Sequence, residues 1–141
     1  MWRAAWALPF VCTALAACGS GAAATSAAPP PTQAVSDAQA KALLARAFRA
    51  ARALGRAEHT CRGCYPTDTS EITEDMSVRT HDQYAVAFTP FSARLPGVVY
   101  LDTVGAGRLT RDHITLYART SNGTIWQLRA GTGAPHVGRS E

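Results

Sequence analysis

The fold is decided by residues 113–129, which read HITLYARTSNGTIWQLR. Apolar and polar residues alternate on both sides of Asn122-Gly123, a pair that favours a tight turn between antiparallel strands. The stretch therefore predicts a β-hairpin. Similar alternation elsewhere predicts a small antiparallel sheet of about four strands. Their predicted ranges are 83–89, 98–103, 113–120 and 124–129, and a short additional strand is a further candidate near Met76–Val78.

Burial decides the register of this hairpin. A two-residue loop would place Arg119 opposite Trp126 and divide the aliphatic side chains between the two faces of the sheet. We predict a three-residue loop over 121–123, with Gly123 in the left-handed region, because a shift of one residue moves every side chain to the other face. The apolar side chains then share one face: Ile114, Leu116, Ala118, Trp126 and Leu128. The opposite face carries a mixed set that we predict as a partner surface: Tyr117, Arg119, Ile125 and Gln127.

Before the sheet, residues 37–56 carry apolar side chains at helical spacing. Ser36 and Gln39 form a capping pair at the start, and Gly55 is predicted as a stop. The remaining face of the helix is basic, with Lys41, Arg46, Arg49, Arg52 and Arg56. These elements together predict an α+β domain in which one N-terminal amphipathic helix packs on the sheet.

The charge of the chain is nearly balanced. The sequence has 14 basic and 10 acidic residues, for a net charge of +4. This balance argues against a dedicated nucleic-acid binder, so no nucleic-acid partner is expected. The basic helix face is interpreted as a solvated surface. There are two alternative roles for this basic face. It could attract anionic lipid headgroups weakly, or it could lie near the acidic stretch at 68–82.

The first residues have the features of a secretory signal. Arg3 is the only charged residue before Asp37, and residues 4–17 are mostly apolar. The run is shorter than the roughly 20 residues that a membrane-spanning helix needs. A basic start, a short apolar core and small residues at its end predict export from the cytoplasm.

The end of this run, Leu15-Ala16-Ala17-Cys18, resembles the lipobox of bacterial lipoproteins with a type II signal peptide. The resemblance covers only the targeting segment, and the mature domain is not matched to a family. It implies that residues 1–17 are removed and that Cys18, lipidated with acyl chains such as palmitate, becomes the new N-terminus. It also implies a location at the cell membrane or outer membrane, with the domain on the extracytoplasmic side.

The expected domain organisation follows from composition. Residues 18–35 are rich in Ala, Pro and Ser and carry no charged side chain, which predicts a flexible tether. The folded domain is expected over 36–130. Residues 131–141, which contain several glycines, are expected to form a loose C-terminal tail.

Cys61 and Cys64 are the cysteines left for the mature domain, since Cys12 leaves with the signal peptide. Outside the cytoplasm such a pair predicts a structural disulfide. A redox pair is one alternative. A metal site in which His59 joins the two cysteines is the other.

The sequence contains no phosphate-binding glycine loop, nucleophile elbow or paired-histidine metalloprotease motif. We therefore predict no catalytic residues and no cofactor, and expect that the protein is not an enzyme. The favoured hypothesis is a membrane-anchored cell-envelope lipoprotein with a small non-catalytic binding or assembly domain, whose partner is an envelope protein or anionic lipid. The alternative is a small extracytoplasmic redox or metal-binding protein that uses Cys61 and Cys64.

Overall fold

The computed structural model describes residues 33–59, 61, 63–103 and 109–141, with the side chains of 69–71 left out. The predicted signal peptide, Cys18 and the tether up to residue 32 lie outside the described residues. The elements, in chain order, are α1 (Asp37–His59), α2 (Thr69–Thr80), β1 (Gln83–Ala87), a short 3-10 helix (Pro90–Ser92), β2 (Val98–Asp102), β3 (Ile114–Arg119), β4 (Ile125–Ala130) and β5 (His136–Arg139).

The strands form one sheet in the order β1-β2-β3-β4-β5. Strand β1 runs parallel to β2, and the other neighbours are antiparallel. The α+β class is thus confirmed, but the sheet is mixed and has five strands rather than about four antiparallel ones. The parallel pair arises because the chain between β1 and β2 does not turn back as a hairpin. It passes through the 3-10 helix and enters β2 in the same direction as β1.

A second helix is the main feature that the alternation pattern missed. The candidate strand near Met76–Val78 lies inside α2, so that prediction was wrong. The reason is visible in the packing, because Ile72 and Met76 stand one helical turn apart and both are buried in the core.

The C-terminal segment is also more ordered than predicted. Strand β5 lies within the range 131–141, for which we expected a loose tail. It pairs with β4 in register from Trp126 opposite Arg139 to Arg129 opposite His136. These ladder bonds are made by main-chain groups, so they need little help from the polar side chains of β5.

The hairpin between β3 and β4 has the predicted register. Ala118 lies opposite Trp126, and Leu116 lies opposite Leu128. The Thr120 amide donates to the Thr124 carbonyl at 2.9 Å, which closes the three-residue loop. Gly123 has φ of 92°, in the left-handed region. The aliphatic face of this hairpin packs in the same core as the two helices.

Helix α1 begins as predicted and ends later. The Ser36 amide donates to Gln39 Oε1 at 2.8 Å, and the Gln39 amide donates to Ser36 Oγ at 3.2 Å. Gly55 does not stop the helix, which continues to His59. Its lack of a side chain serves another purpose, since a Cβ atom there would lie 2.7 Å from Tyr65 Cα. The glycine lets the chain after α1 fold back closely onto the helix.

Candidate functional site

A basic cleft opens between the two helices. It encloses about 400 Å³ and is lined by two arginines of α1, one arginine of α2, two alanines and a threonine: Arg46, Arg49, Arg79, Ala50, Ala53 and Thr80. Helical spacing explains the α1 contribution, because residues three and four positions apart share one face. We refer to this feature as the arginine cleft.

Arg46 is held in place on one side of the arginine cleft. Its Nε and Nη2 atoms donate to the two carboxylate oxygens of Asp82 at 2.9 and 2.8 Å. The Asp82 side chain is only 13% exposed. The hydrogen bond to this carboxylate raises the pKa of Arg46. Asp82 belongs to the acidic stretch at 68–82, whose proximity to the basic helix was one of the alternatives. The bidentate pair holds one guanidinium in place.

The other basic residues of α1 differ in the hydrogen bonds, ion pairs and ring contacts that their side chains make. Lys41 Nζ lies 3.9 Å from the centre of the Trp126 ring. The Arg52 guanidinium lies 5.7 Å from the Phe48 ring, and Arg56 Nε donates to the Arg52 carbonyl at 3.3 Å. Within the described part of the chain, Arg49 is the basic residue of α1 that makes no hydrogen bond, ion pair or ring contact.

Arg79 lines the arginine cleft from α2. It is exposed in the last turn of α2 and has no hydrogen bond or ion pair to any residue that the structure describes. The Thr80 hydroxyl beside it is already engaged, since it donates to the Met76 carbonyl at 2.9 Å and lies 2.8 Å from Tyr84 Oη. The free donors of the arginine cleft are therefore guanidinium groups, which suits an anion.

Cys61 and Cys64 lie at disulfide distance in the turn after α1, with their Cα atoms 5.8 Å apart. The turn is attached to the sheet side of the molecule, because the Tyr65 amide donates to the Arg111 carbonyl at 3.0 Å. Arg111 also approaches the sulfur, with Nε donating to Cys64 Sγ at 3.4 Å. Tyr65 itself is fully buried.

The alternative metal site is not assembled in this geometry. The two sulfurs face each other, and His59 Nε2 lies 3.3 Å from a carboxylate oxygen of Glu58. Among the residues that the structure describes, no three histidine, cysteine, aspartate or glutamate side chains gather as a metal-binding group.

The predicted partner surface on the sheet is largely covered. Tyr117 is 3% exposed and Gln127 is 9% exposed, while Arg119 and Ile125 are half-buried. Tyr117 is buried because the chain between β1 and β2 packs against this face of the sheet through Ala93. Side chains from this connection and from the strands form a second small core there: Ala87, Ala93, Val98, Tyr100 and Tyr117, with Ala85 and Ile125 packed against them.

Polar groups are nevertheless present under this cover. The Tyr117 hydroxyl donates to Asp102 Oδ2 at 2.9 Å. Burial, followed by the neighbouring Asp102 carboxylate, raises the pKa of Tyr117 to about 12. This hydrogen bond is part-buried, and the arginine cleft is the more accessible candidate site.

Comparison with known proteins finds no matching family profile, no similar curated protein and no similar solved structure. None of the described helices combines the length and apolar character needed to cross a bilayer.

Sequence reasoning identified the arginines of α1 but missed Arg79, because its segment was considered as strand. The four-residue spacing of Ile72 and Met76 is the signal that would have placed Arg79 on a helix.

Proposed function

We propose that this chain is a lipid-anchored cell-envelope protein whose folded domain is a non-catalytic binding or assembly module. The anchor is supported by the resemblance of Leu15-Ala16-Ala17-Cys18 to a lipobox. The binding role rests on one observation, that Arg49 of α1 and Arg79 of α2 line the same cleft and make no hydrogen bond or ion pair to any residue that the structure describes. The partner is an anionic group of an envelope protein or lipid, met on the extracytoplasmic side of the cell membrane or outer membrane.

Lipid attachment is tested by growing bacteria that express the chain with radiolabelled palmitate. The wild-type chain should incorporate label and lose residues 1–17, as read by mass spectrometry of the purified protein. Cys18→Ala should incorporate none. Cys12→Ala is the matched control, since Cys12 lies within the segment to be removed, and it should label like the wild type. Equal labelling of Cys18→Ala and the wild type would contradict the proposal.

The binding role is tested by photo-crosslinking in the native envelope. A photoreactive residue is placed at Ala53, which lines the arginine cleft, or at Thr132, which is exposed and outside it. We expect a specific crosslinked product from position 53 that disappears in the Arg49→Ala/Arg79→Ala background. The same product from position 132, or no dependence on the arginines, would show that the cleft is not the binding surface.

A second candidate function is favoured by the contact between Arg111 Nε and Cys64 Sγ. After reduction of the pair by a thiol donor, a nearby guanidinium would stabilise the Cys64 thiolate and lower the pKa of the thiol, as in redox-active cysteines. The reduced chain should then be alkylated by iodoacetamide well below pH ~8.5, the ordinary pKa of a cysteine thiol. Arg111→Ala should move this reactivity to higher pH. Ordinary reactivity in both proteins would contradict a redox role.

The metal-binding form of this alternative needs reduced cysteines, with His59 as a third ligand. Elemental analysis of the reduced chain after zinc loading and dialysis tests it. Retention of zinc in the wild type and loss of zinc in His59→Ala would support the metal site, because thiolate and imidazole are typical zinc ligands. No zinc retained would contradict it.

A further inference from the structure

We propose that the arginine cleft is a binding site for a phosphate group. This inference rests on the proposed function, because it names the chemistry of the ligand for the same cleft. It is carried by three arginines from two different helices that line one hollow, Arg46 and Arg49 from α1 and Arg79 from α2.

The arrangement of donors favours phosphate over carboxylate. A guanidinium presents a planar fork of N–H donors that matches two oxygens at a time. One fork can hold both oxygens of a carboxylate, as the Arg46–Asp82 pair shows with distances of 2.9 and 2.8 Å. Arg49 and Arg79 line the cleft from separate helices and bring two positive charges. A phosphate group has three acceptor oxygens and a charge of about −1.5 to −2 at pH 7, so it can accept from two forks and balance both charges, whereas a carboxylate carries a single charge.

Among the residues that the structure describes, no carboxylate forms an ion pair with Arg49 or Arg79. Of the residues that line the cleft, three are cationic and none is acidic. The carboxylate that the structure places in contact with one of them, Asp82, is already committed to Arg46 and is mostly buried. Arg49 and Arg79 therefore retain an excess positive charge that a phosphate would balance.

The cleft has room for a phosphate that is part of a larger molecule. The volume of about 400 Å³ falls within the range of roughly 300–1,000 Å³ that is typical of pockets for small organic ligands. The alanines at 50 and 53 keep the hollow open because their side chains are short. A phosphorylated headgroup of a lipid and a soluble phosphorylated compound share this chemistry, and the experiment below separates them.

The test is a calorimetric titration of the full chain, kept in neutral detergent micelles, with inorganic pyrophosphate as the phosphate probe. Succinate at equal ionic strength serves as the carboxylate probe. We expect pyrophosphate to bind at least about tenfold more tightly than succinate, since a hydrogen bond to a charged group contributes enough free energy for about one factor of ten. Arg49→Ala and Arg79→Ala should each weaken pyrophosphate binding by about tenfold or more.

Two controls separate phosphate recognition from general charge. Arg94→Ala removes the same charge at an exposed position outside the cleft and should change the affinity by less than about twofold, because distant exposed charges are screened. Arg49→Lys/Arg79→Lys keeps the charge but removes the forks, and should weaken binding nearly as much as the alanine variants. Full affinity in the double lysine variant would overturn recognition by guanidinium forks.

The source of the phosphate is distinguished in mixed micelles. Phosphatidylglycerol in the micelle should compete with pyrophosphate if a lipid headgroup fills the cleft, whereas oleate supplies the same charge without phosphate. Competition by phosphatidylglycerol beyond that of oleate supports a lipid source, and equal effects of the two support a soluble phosphorylated compound.

The failure of this inference is distinguishable from failure of the proposed function. Equal, arginine-dependent binding of succinate and pyrophosphate would overturn phosphate specificity and leave the cleft as an anion-binding surface. Pyrophosphate binding that ignores Arg49 and Arg79, or the absence of any binding, would overturn the phosphate site. The proposed binding role would fall only if the arginine-dependent crosslink from position 53 were also missing.

Discussion

Gly55→Ala is expected to destabilise the fold, although alanine is the better helix former. Position 55 lies four residues before the end of α1 and is buried against the returning chain. An added Cβ would lie 2.6 Å from the Cys64 carbonyl carbon and 2.7 Å from Tyr65 Cα, and it would also contact the Cys64 carbonyl oxygen. These are backbone atoms, which cannot rotate away as a flexible side chain can.

The magnitude follows from two opposing effects. Helix propensity favours alanine over glycine by about 1 kcal/mol in an exposed helix interior. Overpacking of a well-packed site costs typically about 1–3 kcal/mol and more where the backbone must shift. Because the contact here is with backbone, we take the overpacking cost at its upper end of about 3 kcal/mol, and subtracting the gain in propensity leaves a net loss of about 2 kcal/mol. This corresponds to a decrease in Tm of roughly 8–16 °C for a domain of this size.

The assay is urea unfolding of the full chain, followed by far-ultraviolet circular dichroism. Ala57→Gly is the matched control on the exposed side of the same helix, and it should cost about 1 kcal/mol through propensity alone. A Gly55→Ala protein that is as stable as the wild type, or more stable, would show that the chain after α1 does not pack against the helix as described.

Three further predictions concern other parts of the domain. Arg46→Ala should lower the free energy of unfolding by about 1 kcal/mol, because it removes the bidentate partner of the mostly buried Asp82 carboxylate. The effect is limited because the Arg46 side chain is partly exposed. An unchanged urea midpoint would contradict this. His81 has φ of 60°, so His81→Gly should stabilise the end of α2 by about 1 kcal/mol, and a lower midpoint in urea would argue against that backbone conformation. The pKa of Tyr117 is raised to about 12, whereas a tyrosine in the unfolded chain has a pKa of about 10. The unfolded chain therefore ionises first, and the stability that Tyr117 contributes below pH ~10 is lost as the pH rises through the folded value. The tyrosinate absorbance that Tyr117→Phe removes should titrate near pH 12, and a step near pH ~10 would contradict the burial of this hydroxyl.

The parts of the fold that could be predicted are those in which local pattern and burial agree. Asn122-Gly123 marked the turn, and the need to gather Leu116, Leu128 and Trp126 on one face selected the register. Helix α1 was predicted because its apolar face is long and its start carries a capping pair. Its end was placed too early because glycine ends helices in general, whereas Gly55 is required for a close approach between segments.

The parts that could not be predicted depend on contacts between distant segments. Helix α2 has 12 residues, and among those whose side chains are described only Ile72 and Met76 are buried, so its periodic signal is short. Strand β5 contains HVGR, and its pairing to β4 comes from main-chain groups that leave little trace in the sequence. Tyr117 is covered by the connection between β1 and β2, which the alternation of β3 and β4 does not reveal. The arginine cleft also exists only because α2 brings Arg79 to α1.

The central claim, that the arginine cleft binds a phosphate group, is tested most directly by nuclear magnetic resonance of the arginine side-chain Nε–H groups. The ¹⁵N-labelled full chain, kept in neutral detergent micelles, is titrated with inorganic pyrophosphate. The signals are assigned by single arginine-to-lysine variants. The structure predicts that the signals of Arg49 and Arg79 shift and saturate together, whereas that of Arg94, outside the cleft, stays in place. Small shifts of equal size at all arginines, or saturation centred on residues outside the cleft, would contradict the arginine cleft as the binding site.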